Sequence, residues 1–337
     1  MNHGTAAAPI AVTMGDPAGV GPEVCAAALV DPAVLAACTP VLIGEVARMR
    51  RAVELMGVQA EVREVSSARD ARPGPHRVDV LQVGELPADL PWGKVSPLAG
   101  HAAYRYIEEA ARLAVAGSVS AIATAPINKA AMHAASHLFP GHTELLAHLT
   151  GTDEVSMMLT TPGLRVIHVT THIGLIDAIE RIDPPLVERT VRRGIEALQR
   201  AGIEHPRVGV CAINPHAGEN GLFGRGEEAT KIQPAIDRLQ ADGLAVSGPL
   251  PADTAFYLSS RGEFDLIVAM YHDQGHGPVK VLGIEEGVNV TVGLPVIRTS
   301  VDHGTAFDIA GQGIVKSASM VQAVLQAASL AARAADA

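Results

Sequence analysis

Short runs of apolar residues alternate along the chain with stretches whose apolar positions recur at helical spacing. Ile10 to Met14 reads as a buried strand, followed by a glycine turn and an apolar helix from about Pro22 to Leu35. Val41–Gly44 and Val78–Val83 read as strands, Gly100–Ala116 as a helix and Ala121–Pro126 as a strand. The alternation resumes with strand Arg165–Thr171, helix Pro185–Ala201, strand Val208–Ile213, helix Glu227–Ala241 and strand Leu266–Met270. An alanine-rich helix, Ser319–Ala335, follows near the end. Continuously apolar strands separated by helices predict a parallel sheet covered on both faces, hence an α/β fold. Asp70–His76 and Glu85–Pro97 are proline-rich surface loops, and neither a linker nor an internal repeat separates the chain into halves.

The length of 337 residues suits two α/β domains or one large one. Hydrophobic residues make up 48% but aromatics only 3%, so the core is built from aliphatic side chains. The formal charge of −10, with so few aromatics, lacks both the basic footprint and the stacking platforms of a nucleic-acid binder. No apolar stretch reaches the length of about 18 residues that a membrane span needs. The N-terminal sequence has no basic flank followed by an apolar run, so no signal peptide is expected. Three cysteines without CxxC spacing (Cys25, Cys38, Cys211) read as free thiols of a cytoplasmic protein.

In α/β sheets, ligands bind beyond the carboxyl ends of the strands, so polar residues that follow an apolar strand carry extra weight. GDPAGVGPE (Gly15–Glu23) joins the first strand to its helix and permits close backbone approach to an anion, or is simply a tight turn. TAPINK ends a strand at Lys129, which either neutralises an anionic substrate or is a solvated helix-start lysine. FPGHTE offers His142, Thr143 and helix-start N–H groups to a phosphate; the plain alternative is a helix capped by Thr143.

Three histidines stand out together. His172 ends RVIHVTTH, His216 follows VGVCAINPH and His272 ends LIVAMYH, each just past a predicted parallel strand. Brought to one sheet edge, they would form a catalytic-type metal site with positions open to substrate. His168, four residues before His172, reads as buried and structural, and Asp273 as an orienting partner for a ligand histidine. Beyond them Lys280, Asn289 and Arg298 supply a cation, an amide and a guanidinium suited to a phosphorylated acid. HGTAFDIAG (His303–Gly311) has the small residues and single acid of a loop that wraps a nucleotide.

Taken in order, GDPAGVGPE, TAPINK, GHTE, TTH, NPHAGE, PADT, MYHDQGH, GLPVIRTS and DHGTAFDIAG resemble the 4-hydroxythreonine-4-phosphate dehydrogenase family from about residue 9 to residue 330. The resemblance implies two α/β/α domains with a cleft between them, like isocitrate and isopropylmalate dehydrogenases. It places a cofactor-binding domain at 1–130 plus 280–337 and a dimerisation and metal/substrate domain at 131–279. It also implies a homodimer whose active site is shared across the interface. Motif by motif, the metal ligands are then His172, His216 and His272, and the substrate contacts His142, Thr143, Lys280, Asn289 and Arg298. His303, Gly304, Thr305 and Asp308 would hold NAD or NADP, and Lys129, Asp253 and Asp273 are the candidate catalytic groups.

The implied reaction is oxidation at C3 of a four-carbon phosphorylated 3-hydroxy acid, followed by loss of CO2, with one divalent ion per site (Zn, Co, Mg or Mn). For the family's vitamin B6 substrate, 4-phosphooxy-L-threonine, the product is 3-amino-2-oxopropyl phosphate. Two features depart from that branch: His276 in QGHGPVK, and NGLFG after NPHAGE. Both look more like the branch that oxidises 4-phospho-D-threonate or 4-phospho-D-erythronate to dihydroxyacetone phosphate. A terephthalate dihydrodiol dehydrogenase, a metal-dependent phosphatase and a silent binding protein rank lower, the first because GHTE is present.

Overall fold

The apolar run Ile10–Thr13 is wholly buried as strand β1. Around it the computed structural model, which describes residues 9–283 and 287–336, builds the first of two units. That unit runs on through Val155 and resumes at Leu294, while the second unit spans Ser156–Gly293. These crossings fall later than the 130/131 and 279/280 expected from sequence, and the segment bearing His142 and Thr143 therefore belongs with β1. The first eight residues, read above for a leader, lie outside the described residues.

In the first unit the elements are β1, α1 (Gly21–Ala28), α2 (Pro32–Ala37), β2 (Pro40–Gly44), α3 (Val46–Leu55), β3 (Glu61–Val65), β4 (Arg77–Gln82), α4 (Pro97–Val115), β5 (Ala121–Thr124), α5 (Lys129–Ala134) and α6 (His142–Thr150). The second unit contributes β6 (Ser156–Thr161), β7 (Leu164–His168), α7 (Leu175–Arg181), α8 (Pro184–Arg200), β8 (Val208–Cys211), α9 (Gln233–Ala241), β9 (Val246–Leu250), α10 (Ala252–Ser260), β10 (Leu266–Ala269), α11 (His272–Gly283) and β11 (Val288–Val292). The chain then returns to the first unit as β12 (Arg298–Val301) and α12 (Ala318–Asp336). Strand order is β3-β4-β2-β1-β5-β12 in the first unit and β11-β6-β7-β10-β8-β9 in the second.

Three expectations are corrected. The single helix predicted over Pro22–Leu35 is two, because Pro32 disfavours helical backbone at Asp31, whose side chain instead caps α2 through Ala33 N. The sheet is not wholly parallel: β6, a strand the pattern did not reveal, runs antiparallel to both β7 and β11. The helix expected from Glu227 opens instead with a π-helical turn, Glu228–Ile232, before α9 begins. Short α3 and β3 were also not apparent, since β3 alternates exposed and buried residues and carries charge at Glu61, Arg63 and Glu64.

The turn after β1 is held from within. Asp16 Oδ1 accepts from Ala18 N at 2.8 Å, and burial raises its pKa to about 6. Arg48, 3% exposed, stacks over Trp92 at 3.4 Å and donates from Nε to Pro17 O at 2.7 Å. Glu23 is fully buried, and its two carboxyl oxygens accept from Gly311 N (2.9 Å) and Gly313 N (2.8 Å). The GDPAGVGPE turn is thus tied to the loop that holds HGTAFDIAG, with Val20 N donating to Thr305 O at 3.0 Å. Gly100 lets α4 and α5 touch, since a Cβ there would lie 2.1 Å from Ala131 O.

Removing the Glu23 side chain takes the acceptor from two half-buried N–H groups and leaves a buried gap, so Glu23→Ala should lower stability by about 1–3 kcal/mol. Glu23→Gln, which keeps one good acceptor, should recover part of the loss. Calorimetric melting of the three proteins checks this; an alanine variant that melts with the wild type would contradict it.

Candidate active site

In the first unit, parallel pairing of β5 with β12 sets Arg298 opposite Ile122 and brings Thr124 to the strand end. Arg298 is 2% exposed and donates from Nη2 to Thr124 Oγ1 at 2.8 Å. Burial lowers its pKa to about 9, so the guanidinium remains a cation at neutral pH. His142 opens α6 behind an extended Gly141 that provides no side-chain cap. Thr143 is therefore not the cap of this helix; Gly141 holds that position. The His142 ring bonds the backbone of Ala125, and its Nε2 is buried with no hydrogen-bond partner. Burial, then the nearby Arg298 and Lys129 cations, hold the His142 pKa well below its usual value, so the imidazole is neutral. A buried guanidinium beside an imidazole whose free nitrogen would donate once protonated fits a small dianion.

The loop between α5 and α6 is braced by rings. His137 stacks on Tyr104 at 3.8 Å, and its Nε2 lies 2.9 Å from His101 Nδ1. Lys129 begins α5, exposed, after Asn128 caps the helix through Ala131 N.

In the second unit three neighbouring strands carry the histidines singled out from the sequence. β7, β10 and β8 are neighbours and parallel, so the chain leaves all three at the same sheet edge, toward His172, His272 and His216. Gln274 fastens two of these exits: Oε1 accepts from Met270 N and Nε2 donates to Ala212 O, both at 2.7 Å. The His172 and His272 rings lie 5.6 Å apart, close to the roughly 5 Å that two imidazoles on one tetrahedral ion adopt. His272 Nδ1 lies 2.7 Å from Asp273 Oδ1, a contact that fixes the ring and leaves Nε2 as the nitrogen available to a ligand. This donor set fits a divalent ion.

His216 reaches its place differently. It starts a left-handed turn in which His216, Ala217, Glu219 and Asn220 all have positive φ (51°, 54°, 41° and 55°), and its ring packs 6.3 Å from Phe223. Each non-glycine residue so placed costs about 1–2 kcal/mol. Among the described residues, no group of three His, Cys, Asp or Glu side chains is placed to hold a metal ion within one chain.

His168 is buried, as read from sequence, with Nδ1 3.3 Å from Met157 O and Nε2 3.2 Å from His276 Nδ1. Burial, then His276, lower its pKa to about 3. His276 also stacks on His272 at 3.7 Å. The residue that distinguished the two family branches therefore touches a candidate metal ligand. Lys280 lies exposed one turn further along α11, and Asn289 sits on β11 with its Oδ1 buried and unpartnered. Asp253 is exposed in the first turn of α10.

For the cofactor loop, Thr305 packs on Gly19, where a Cβ would come within 2.9 Å of it. His303 Nε2 is buried without a partner, Ala306 has φ 41°, and Gly304 and Asp308 are exposed. An orphaned imidazole nitrogen in a glycine-bearing loop fits a polar cofactor. Sequence reasoning missed Gln274 and the His272–His276 stack. The i, i+4 spacing of those two histidines was the available signal, once HDQGHGPVK is recognised as helical.

Fold and site together describe an α/β protein with an anion pocket in one unit and an imidazole cluster in the other. Residues 36–327 match the model of the family described as pyridoxal phosphate biosynthetic protein PdxA. The chain is 60% identical over 324 residues to a D-threonate 4-phosphate dehydrogenase of Cupriavidus necator, covering 96% of this chain and 97% of that protein. It is 47% identical over 330 residues to a 4-hydroxythreonine-4-phosphate dehydrogenase of Trichlorobacter lovleyi, covering 96% and 97%. A crystal structure of a 4-hydroxythreonine-4-phosphate dehydrogenase from Burkholderia phymatum superposes with a TM-score of 0.88 at 60% identity, covering 96% of this chain and 98% of that one. The chain belongs to the PdxA family, and these relatives are dehydrogenases named for phosphorylated substrates.

If His142 Nε2 meets the bound anion, binding raises the pKa of the ring, so affinity increases as pH falls through that raised value. Sulfate, which does not titrate near neutrality, should bind more tightly at pH 6 than at pH 8 by calorimetry, and His142→Asn should flatten the profile. A wild-type profile already flat would contradict the role. Arg298→Lys should weaken sulfate binding about tenfold or more, because one buried ammonium replaces a planar two-pronged donor; equal affinity would count against anion recognition there.

Proposed function

We propose that the chain is a metal-dependent, NAD(P)-linked dehydrogenase that oxidises C3 of a four-carbon 4-phosphorylated 3-hydroxy acid, with loss of CO2. The observation that carries the reading is the 5.6 Å pairing of His172 and His272 at adjoining strand ends, in a chain of this family. His172, His216 and His272 would hold the ion, which supplies Lewis acidity at the C3 oxygen and to the electron pair left by CO2. His303, Gly304, Thr305 and Asp308 would hold NAD or NADP, which would supply the hydride acceptor. Arg298, His142, Thr143 and Lys129 bind the anionic end of the substrate, and Lys280 and Asn289 its other polar groups. Binding energy gathered there, away from the reacting carbon, orients C3. Asp273 orients His272, while Lys129, Asp253 and Asp273 are the groups available to move the hydroxyl proton and to return one to C2. Oxidation removes a hydride from C3 and a proton from its hydroxyl oxygen, and CO2 departure leaves an electron pair that a proton quenches at C2.

Within that class the favoured substrate is 4-phospho-D-threonate or its D-erythronate epimer, giving dihydroxyacetone phosphate. The 60% identical relative carries the D-threonate name, and His276 lies against His272. A second reading, 4-phosphooxy-L-threonine, is favoured by the 47% identical relative and by the name of the superposed structure.

We further infer a homodimer that shares its active site. Exposed apolar side chains flank two of the proposed ligands: Ile173, Leu175 and Ile176 follow His172, and Leu222 and Phe223 follow the turn of His216. Such a patch calls for cover, and a second copy supplies the imidazole that one chain does not bring together. No helix among the described residues is long and apolar enough to cross a membrane, and the proposed setting is cytoplasmic.

The test is NADH or NADPH production from the three phosphorylated acids side by side, with Zn, Co, Mg and Mn in turn. Turnover with the D-threonate or D-erythronate phosphate, lost on chelation and lowered at least a hundredfold in His172→Ala and His272→Ala, is the expected result. Full turnover by a chelated sample would overturn the metal assignment, and selective turnover of the amino acid would establish the second reading.

A further inference from the structure

We propose that Glu228 is a positioning residue for His216, holding in place the left-handed turn that presents this imidazole. The proposal rests on the reading of His216 as a metal ligand. A run of left-handed backbone at non-glycine residues persists only where its surroundings over-determine it, and Glu228 supplies that constraint. It is 8% exposed, and its Oε1 accepts from Ile213 N at 3.1 Å and Asn214 N at 2.7 Å, the last two N–H groups before Pro215 and the turn. Asn214 Nδ2 donates to both Glu228 oxygens, each at 3.1 Å, and to Glu227 Oε2 at 2.9 Å. Glu227 Oε2 also accepts from Arg225 N at 2.6 Å, so the returning strand of the loop is gripped by the same pair.

The carboxyl group also packs on the middle of the turn. A Cβ at Gly218 would lie 2.9 Å from Glu228 Oε2, so glycine is required for the contact as well as for its φ of 79°. Phe223 N and Leu222 N close the far side by donating to Gly218 O and Glu219 O. Glu228 itself opens the π-helical turn Glu228–Ile232, an irregularity that recurs at functional sites. The loop bearing His216 is therefore anchored before, within and after the left-handed run, and Glu228 accounts for two of those anchors. Nothing in this arrangement serves the sheet, whose strand β8 has already ended at Cys211.

The test is titration of the metal-free full-length protein with Zn2+, by calorimetry or against a chromophoric chelator, for wild type, His216→Ala, Glu228→Ala and Glu228→Gln. Sulfate binding to the pocket of Arg298 and His142 serves as the internal control of fold. Glu228→Ala should weaken Zn2+ binding about 10–100-fold, the range for residues that orient a ligand. Glu228→Gln, whose carbonyl still serves the Ile213 and Asn214 N–H groups but whose amide nitrogen replaces an acceptor of Asn214 Nδ2, should lose about three- to tenfold. Sulfate affinity should be unchanged in both. If Glu228→Ala does not fold, Glu228→Gln decides: weakened Zn2+ binding with sulfate affinity intact supports the proposal, and wild-type Zn2+ affinity overturns it. A parallel loss of sulfate binding in both Glu228 variants would also overturn it, since the residue would then serve the fold at large. If His216→Ala binds Zn2+ as the wild type does, the ligand reading itself fails; if His216→Ala is weakened while both Glu228 variants are not, only the positioning role fails.

Discussion

Parallel pairing of β7, β10 and β8 is the constraint on which the imidazole cluster depends. Parallel strands leave a sheet on the same edge, so polar residues just past the strand ends start out on one side of it. The geometry is tightened by Gln274, whose amide ties the end of β10 to the segment after β8. From that edge the exits differ. His172 and His272 follow almost directly and come to 5.6 Å, whereas His216 is carried further, on backbone that only a dedicated hydrogen-bond network makes tenable.

The two units handle ionisation in opposite ways that suit opposite partners. In the first, a guanidinium stays charged although buried, with a neutral imidazole beside it, and an anion would complete the group. In the second, burial and mutual repulsion keep His168 neutral against His276, and neutral imidazoles are the form that ligates a metal. Each environment thus calls for a partner of its own: an anion in the first unit, and in the second a cation that neutral imidazoles can hold.

Much of this was legible before any coordinates. Long apolar strands such as Val208–Cys211 and Leu266–Ala269 announce themselves because burial on both faces forces continuous hydrophobicity. His172, His216 and His272 could be singled out because each follows such a strand. What escaped has physical reasons. β6 ends in serine and threonines and pairs antiparallel, and β3 carries charges on its exposed face, so neither shows the apolar run. The break between α1 and α2 was written in Asp31-Pro32 and could have been read there. Glu228 grips backbone 14 and 15 residues away and Gln274 reaches Ala212, contacts that no local pattern marks. Thr143 shows how a sequence rule can mislead: a threonine at a helix start suggests a cap, yet Gly141 holds that position.

The central claim is that imidazoles from separate strand ends bind one divalent ion. X-ray absorption spectroscopy of the zinc-loaded protein reads this directly. Scattering from three imidazole rings around zinc, falling to two in His216→Ala, is the outcome the account predicts. A zinc shell of oxygen alone, unchanged by replacing any of the three histidines, would contradict it.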